Sequence, residues 1–276
     1  MKQKTFTCLW AHRIRGVTDP LAKRSALLLA LFRLYLRWFF WRRFHAVRLT
    51  RVSQIPSHPG RPLIIYCNHP SWWDPALLLL TLPRLLPGRI GIGPMDAAEL
   101  QRYALLRHMG LFGIEPATPD GGRIFLRTAL ASLRHPSTCL VITAEGAFTD
   151  PRLRPIRLRT GVARLARLAP HAVVIPLALE YCFWNESKPE ALLHFGPPIG
   201  LPPGNTGDTS WQQALESGLT EAMDALATHA AAREPAAFRT VFGGTAGVGG
   251  IYDLYRRACA RLHGTPFSAR HQPEKT

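Results

Sequence analysis

The chain has 276 residues and is 47% apolar, which suits one large domain with a sizeable core and excludes wholesale disorder. Lys and Arg number 34 against 18 for Asp and Glu, a formal charge of +16. Such a surface attracts polyanions, whether nucleic acid, anionic lipid headgroups or an acidic carrier, and charge alone does not choose among them.

Residues 1–16 are polar and basic, without the apolar stretch and small-residue cleavage site of a secretory signal. Residues 21–41 are rich in leucine and aromatics, Trp38 and Trp41 among them, and are interrupted by Arg33 and Arg37. A spanning helix needs about 20 mostly apolar residues, and the two arginines break that run. Four apart, they share one face of a helix. The stretch reads as an interfacial helix whose leucines and tryptophans enter lipid while Arg33 and Arg37 meet phosphates. A core helix with its arginines extended to water is the alternative.

The middle of the chain alternates. Strand patterns at 62–67, 89–93, 138–143 and 172–179 are interleaved with helical patterns at 75–82, 99–109, 122–134 and 160–168. That rhythm argues for an α/β sheet with helices packed on it. Residues 197–208, rich in Pro and Gly, read as a loop, and 211–233 as an alanine-rich helix. The glycine-rich stretch 242–250 follows no strand pattern and lacks G-x-G-x-x-G, so it reads as a connector. Residues 251–262 form a last basic helix, and the tail from 267 frays.

The five cysteines, Cys8, Cys67, Cys139, Cys182 and Cys259, are scattered and form no C-x-x-C pair, which argues against a disulfide framework or a zinc site. Cys67 and Cys139 lie in apolar runs and read as buried thiols. A reducing, cytoplasmic setting fits. Nothing has metal-ligand spacing. No helix-turn-helix, zinc finger or aromatic RNA-binding motif appears, so nucleic acid is not an expected partner.

The sharpest local feature is Asn68-His69-Pro70-Ser71-Trp72-Trp73-Asp74, between a strand pattern and an apolar helix. A loop after a strand is where α/β sheets place their chemistry. A histidine there can take a proton from an alcohol near neutral pH. A carboxylate five residues on can hold the other ring nitrogen, as in the base-and-orienter part of a catalytic triad. No Ser or Cys nucleophile is needed if the acceptor's own hydroxyl attacks. The same residues also fit a plain helix start, with Asp74 as N-cap before Pro75, or Ser71 and Asp74 as a capping pair. A second feature is Glu145-Gly146 directly after an apolar strand, which displays a carboxylate and lets backbone approach a ligand. A third is the cluster Arg152, Arg154, Arg157, Arg159 and Arg164, suited either to phosphates or to a solvated face.

In this order the pieces resemble the glycerolipid (lysophospholipid) acyltransferase family. Asn68 to Asp74 looks like its Asn-His-x-Ser-x-x-Asp block, with His69 as base and Asp74 as its partner. Glu99-Leu100 looks like the remains of its second block, and Thr143-Ala144-Glu145-Gly146 like its Phe-Pro-Glu-Gly block, which helps bind the acceptor. Arg159-Thr160-Gly161 resembles the basic segment that follows, and Val173-Val174-Ile175-Pro176-Leu177 the last block. The resemblance spans residues 61–198. There are departures. The family's Glu-Gly-Thr-Arg is Glu145-Gly146-Ala147-Phe148 here, the arginine closing its second block falls on Pro116, and the lysine before Glu99-Leu100 falls on Ala97.

The resemblance implies a mixed, largely parallel α/β sheet flanked by helices, with an amphipathic membrane-associating helix at the N-terminus. The expected organisation is a membrane-associating region at 1–55, an acyltransferase domain at 56–235, and a basic helix and tail at 236–276. The implied reaction moves an acyl group from acyl-CoA or acyl carrier protein, as co-substrate, onto a hydroxyl of a lipid-like acceptor, with no other cofactor. His69 and Asp74 are the expected catalytic pair, with Ser71, Glu145, Gly146 and Arg159 around the substrate and Arg33, Arg37, Trp38 and Trp41 on an anionic membrane. The setting is the cytoplasmic face of the inner membrane, peripheral or monotopic. The two missing arginines argue against lysophosphatidic acid as preferred acceptor. A larger lipid hydroxyl is expected, such as a glycolipid, an amino-acid lipid or a pigment-like lipid. A non-catalytic lipid-binding protein on the same fold is the competing expectation.

Overall fold

The computed structural model of the protein describes residues 19–116, 118–200, 207–247 and 250–267. The expectations for residues 1–16, for Cys8 and for the tail beyond 267 lie outside these. In chain order come α1 (Ala26–Arg43), β1 (Ala46–Thr50), β2 (Leu63–Cys67), α2 (Asp74–Leu85), β3 (Ile90–Asp96) and α3 (Ala97–Arg102). A 3-10 turn (Ala104–Met109) leads to β4 (Leu111–Ile114), α4 (Pro119–Ser132), β5 (Thr138–Thr143), α5 (Thr160–Leu168), β6 (Val173–Cys182) and β7 (Glu190–Phe195). The chain then forms α6 (Asp208–Ala232), β8 (Phe238–Gly243) and α7 (Gly250–Leu262).

One eight-stranded sheet runs in the order β4-β3-β5-β2-β6-β7-β1-β8. The first five are mutually parallel, β7 is antiparallel to β6 and parallel to β1, and β8 is antiparallel to β1. Alternation along β2 explains the layers. Ile64 and Tyr66 join the core under α4, α5 and α6, whereas Leu63, Ile65 and Cys67 join the core under α1 and α2. A strand buried on both faces reads as a continuous apolar run, as β2 does.

Four strands depart from the sequence expectation. In β1, Arg48 interrupts the apolar pattern, yet it is buried because Glu190 of the neighbouring β7 meets its Nε at 2.8 Å. β7 escaped notice for the matching reason. β4 has only four residues and contains Gly113. β8 takes Phe242 and Gly243 from what reads as a glycine-rich connector, because β1 offers its free edge there. The helical pattern at 99–109 divides at Tyr103 into α3 and the 3-10 turn.

Ser25 caps α1 by accepting from the Leu28 N–H at 3.3 Å, and Arg42 and Arg43 suit the negative end of its dipole. Leu29, Leu36 and Phe40 are buried against the domain, while Leu27, Leu31, Leu34, Trp38 and Trp41 are each at least 50% exposed. α1 is therefore apolar on both sides. Among the described residues no helix is long and apolar enough to cross a membrane.

Candidate active site

The sheet register brings the two sequence features together. Cys67, the last residue of β2, pairs with Thr143, the last residue of β5. Two residues on, the backbone N–H of His69 donates to Glu145 Oε2 at 2.7 Å. The chain leaves β2 for β3 on one side and β5 for β6 on the other, so this lies at a switch in strand order, where parallel sheets open a crevice.

Three contacts fix the loop after β2. Asn68, fully buried, uses both ends of its amide on the β6 backbone: Nδ2 donates to Leu179 O at 2.9 Å, and Oδ1 accepts from Leu179 N–H at 2.8 Å. Thr149 N–H donates to His69 O at 3.0 Å. The Trp73 ring is wedged among Phe39, Phe40 and Phe44, within 5.5 Å of each.

His69 Nδ1 lies 2.6 Å from Asp74 Oδ2. Asp74 is fully buried at the start of α2, and it is not the N-cap; Trp73 holds that place without a side-chain cap. The Asp74 carboxylate instead takes His69 and the Ser71 N–H (3.1 Å) on Oδ2, and the Tyr181 phenol (2.7 Å) on Oδ1. Ser71 Oγ accepts from Trp73 N–H at 3.2 Å, so its side chain braces the turn. Beside an ionised carboxylate Nδ1 carries the ring hydrogen, which leaves the Nε2 lone pair facing outward. His69 lines the cavity, and no described residue bonds its Nε2.

Burial raises the Glu145 carboxyl above its ordinary value, partly offset by the His69 N–H it accepts. Burial, with the nearby Asp74 and Glu145 charges, pushes the Cys67 thiol well up, and its Sγ donates to Ile142 O; it is no thiolate nucleophile. Gly146 has φ +69°, a conformation that favours glycine, and a Cβ there would come within 2.8 Å of Arg159 Nε. Arg159 thus lies across Gly146 on the cavity wall.

The cavity occupies about 1970 Å³ and is lined by the helices α1 to α5, the 3-10 turn, the start of α6, and the strands β3 and β5. That is large beside the roughly 300–1,000 Å³ of a drug-sized site. Leu78, Leu82, Ile92, Met109 and Val141 contribute to its apolar side. His69, Gly146, Phe148, Arg159 and Arg164 lie on the polar side, and Pro116 lines it too. The Phe148 ring stands 4.5 Å from the His69 ring.

His69, Asp74, Ser71, Glu145, Gly146 and Arg159 are therefore neighbours. The membrane candidates are not. Trp38, Trp41 and Arg37 face outward on α1, but Arg33 is half-buried and lines the cavity. In the arginine cluster, Arg152 pairs with Asp150 and Arg154 with Asp224, while Arg159 and Arg164 reach the cavity. Sequence reasoning missed Tyr181, and no local signal marks a tyrosine 107 residues beyond its partner. Among the described residues no cluster of three or more His, Cys, Asp or Glu side chains could hold a metal ion.

The chain shares its fold with the crystal structure of the 1-acyl-sn-glycerophosphate (LPA) acyltransferase PlsC from Thermotoga maritima, with a TM-score of 0.51 and 16% identity over 73% of this chain and 78% of that one. No curated protein matches significantly. The family model for acyltransferases matches residues 31–180, more than half the chain and including His69, Asp74 and Glu145, and the protein belongs to the acyltransferase family.

Proposed function

We propose that this lipid acyltransferase moves a fatty acyl group from a thioester, acyl-CoA or acyl carrier protein, onto a hydroxyl of a membrane lipid other than lysophosphatidic acid. The observation that carries the mechanism is the 2.6 Å contact between His69 Nδ1 and a fully buried Asp74, with Nε2 turned to the cavity. In this scheme the acceptor hydroxyl lies against Nε2. Its oxygen attacks the thioester carbonyl as Nε2 takes its proton, and Asp74 steadies the imidazolium without itself being protonated. The tetrahedral intermediate then collapses, the C–S bond breaks, and the departing sulfur takes the proton from Nε2. Ester and thiol leave, and His69 is neutral again.

The acceptor reading rests on Phe148. The aromatic ring beside His69 stands where the resembled family has an arginine, and Pro116, on the same cavity, stands at another such position. Apolar surface there suits a bulky lipid better than a phosphate held by charge-assisted bonds. The membrane reading rests on the outward stripe of α1 and on the net charge of +16, which together suit an anionic bilayer on the cytoplasmic side.

The test is acyl transfer by membrane-reconstituted protein from labelled acyl-CoA and acyl carrier protein to a total lipid extract of the source organism, with His69→Ala alongside. A labelled lipid that vanishes in the variant is the expected result, and its mass identifies the acceptor. Equal use of lysophosphatidic acid would sink the acceptor reading. No product from either donor would favour a lipid-binding protein on this fold.

A further inference from the structure

The α1 side of the cavity holds two cations that acyl transfer at His69 does not use. Arg24, just ahead of α1, and Arg33, on the inward side of α1, are half-buried and line the cavity. The Nε of each is out of reach of solvent and has no hydrogen-bond partner. Among the described residues neither arginine has a carboxylate at ion-pair distance. The acidic groups on the same cavity lie on other elements, and Asp96 is engaged in capping α3 through the Ala98 and Glu99 N–H groups. Burial lowers the pKa of both guanidiniums, and the charge of Arg24 lowers that of Arg33 further. Two like charges in one poorly solvated wall destabilise the empty protein, and an anion between them removes that cost. Arginine forks match phosphate oxygens in particular.

We propose that Arg24 and Arg33 form a phosphate-binding subsite in the α1 wall of the cavity, which holds a phosphate ester of a bound substrate at a distance from the reacting atoms. Phe39 packs at a tilt against Trp73, beside Asp74, and Arg33 lies six residues earlier, about 9 Å along the axis. Two sources offer a phosphate ester: the phosphopantetheine of the thioester donor, or the phosphodiester of an acceptor lipid. The subsite rests on the acyl-transfer reading only for these two sources.

The experiment needs no turnover. Wild type, Arg24→Gln and Arg33→Gln are compared by thermal melting and by calorimetric titration. The probes are inorganic phosphate, CoA against pantetheine, and lysophosphatidylglycerol against monoacylglycerol in one detergent. Phosphate should raise the wild-type melting temperature and raise it less in either variant. The phosphate-bearing probe from the true source should bind about tenfold or more weakly to the variants, with its phosphate-free counterpart unchanged. Loss in the CoA arm assigns the donor, and loss in the lipid arm assigns the acceptor. Without anion the variants should melt no lower than wild type, because they relieve repulsion. Variants that bind every phosphate-bearing probe as wild type does, or that lose phosphate-free probes equally, overturn the subsite. A protein that binds phosphate as expected yet transfers no acyl group would leave the subsite standing and remove the catalytic reading instead.

Discussion

Tyr181 donates its phenol hydrogen to Asp74 Oδ1 at 2.7 Å, on the oxygen opposite the one His69 uses. A buried carboxylate is tolerable only when its lone pairs are satisfied, and this contact supplies what the His69 loop cannot. Burial and the Asp74 charge push the phenol well above its ordinary pKa, so it remains a donor at any working pH. On the proposed mechanism Tyr181 is a positioning residue. A hydrogen bond to a charged group is worth about 1.5–3 kcal/mol, so Tyr181→Phe should lower kcat by roughly ten- to a hundredfold with little change in KM. A folded Tyr181→Phe with wild-type kcat would remove Tyr181 from the mechanism.

Phe148 should govern acceptor choice. It is 62% exposed, so its ring faces the cavity mouth as well as His69. Phe148→Arg puts a fork donor there at small folding cost. The expected outcome is a rise of about tenfold or more in the kcat/KM ratio for lysophosphatidic acid over a phosphate-free lipid alcohol. Parallel competition assays on the two acceptors measure that ratio, and an unchanged ratio would separate Phe148 from selection.

Much of this site was legible in the sequence because its parts lie at strand ends. β2, β5 and β6 are continuous apolar runs, and the residues that follow β2 and β5 must sit side by side once those strands pair. The legible part stops where tertiary packing decides. Arg33 and Arg37 are about 40° apart around a helix. Burial of Leu29, Leu36 and Phe40 fixes the rotation of α1 so that the boundary between wall and solvent runs between the two arginines. No spacing rule contains that rotation. Arg48 and Glu190 hide β1 and β7 in the same way, because each looks like a surface residue until the other is found.

Glu145 should leave a signature in stability against pH. Its folded-state pKa is raised, chiefly by burial, so the folded protein holds this proton more tightly than the unfolded chain does. Its contribution is fully present below the ordinary carboxylate range and is lost as pH rises through the folded value. Glu145→Gln keeps an oxygen for the His69 N–H and removes the titration. Urea unfolding of both proteins from acid to neutral pH should show wild type losing stability relative to Glu145→Gln across the weakly acidic range. A difference that is flat or of opposite sign would mean that the His69 N–H bond outweighs burial.

The outward face of α1 is the last element to test. Leu27, Leu31, Leu34, Trp38 and Trp41 recur at helical spacing and are exposed, while Arg42 lies over the Trp38 ring at 5.3 Å. A stripe of this kind left in water is a liability unless something covers it. A bilayer surface would take the indoles at headgroup depth and the arginines at the phosphates. Burying a large apolar side chain contributes about 1.5–3 kcal/mol, so even half of that predicts roughly tenfold weaker vesicle binding for the Trp38→Ala, Trp41→Ala pair. Cosedimentation with phosphatidylglycerol vesicles measures it. Raised salt should weaken wild type and variant by the same factor, because it screens the arginines and not the indoles. Variant binding equal to wild type at every salt concentration would mean that charge alone holds the protein to lipid, and that the stripe of α1 serves another contact.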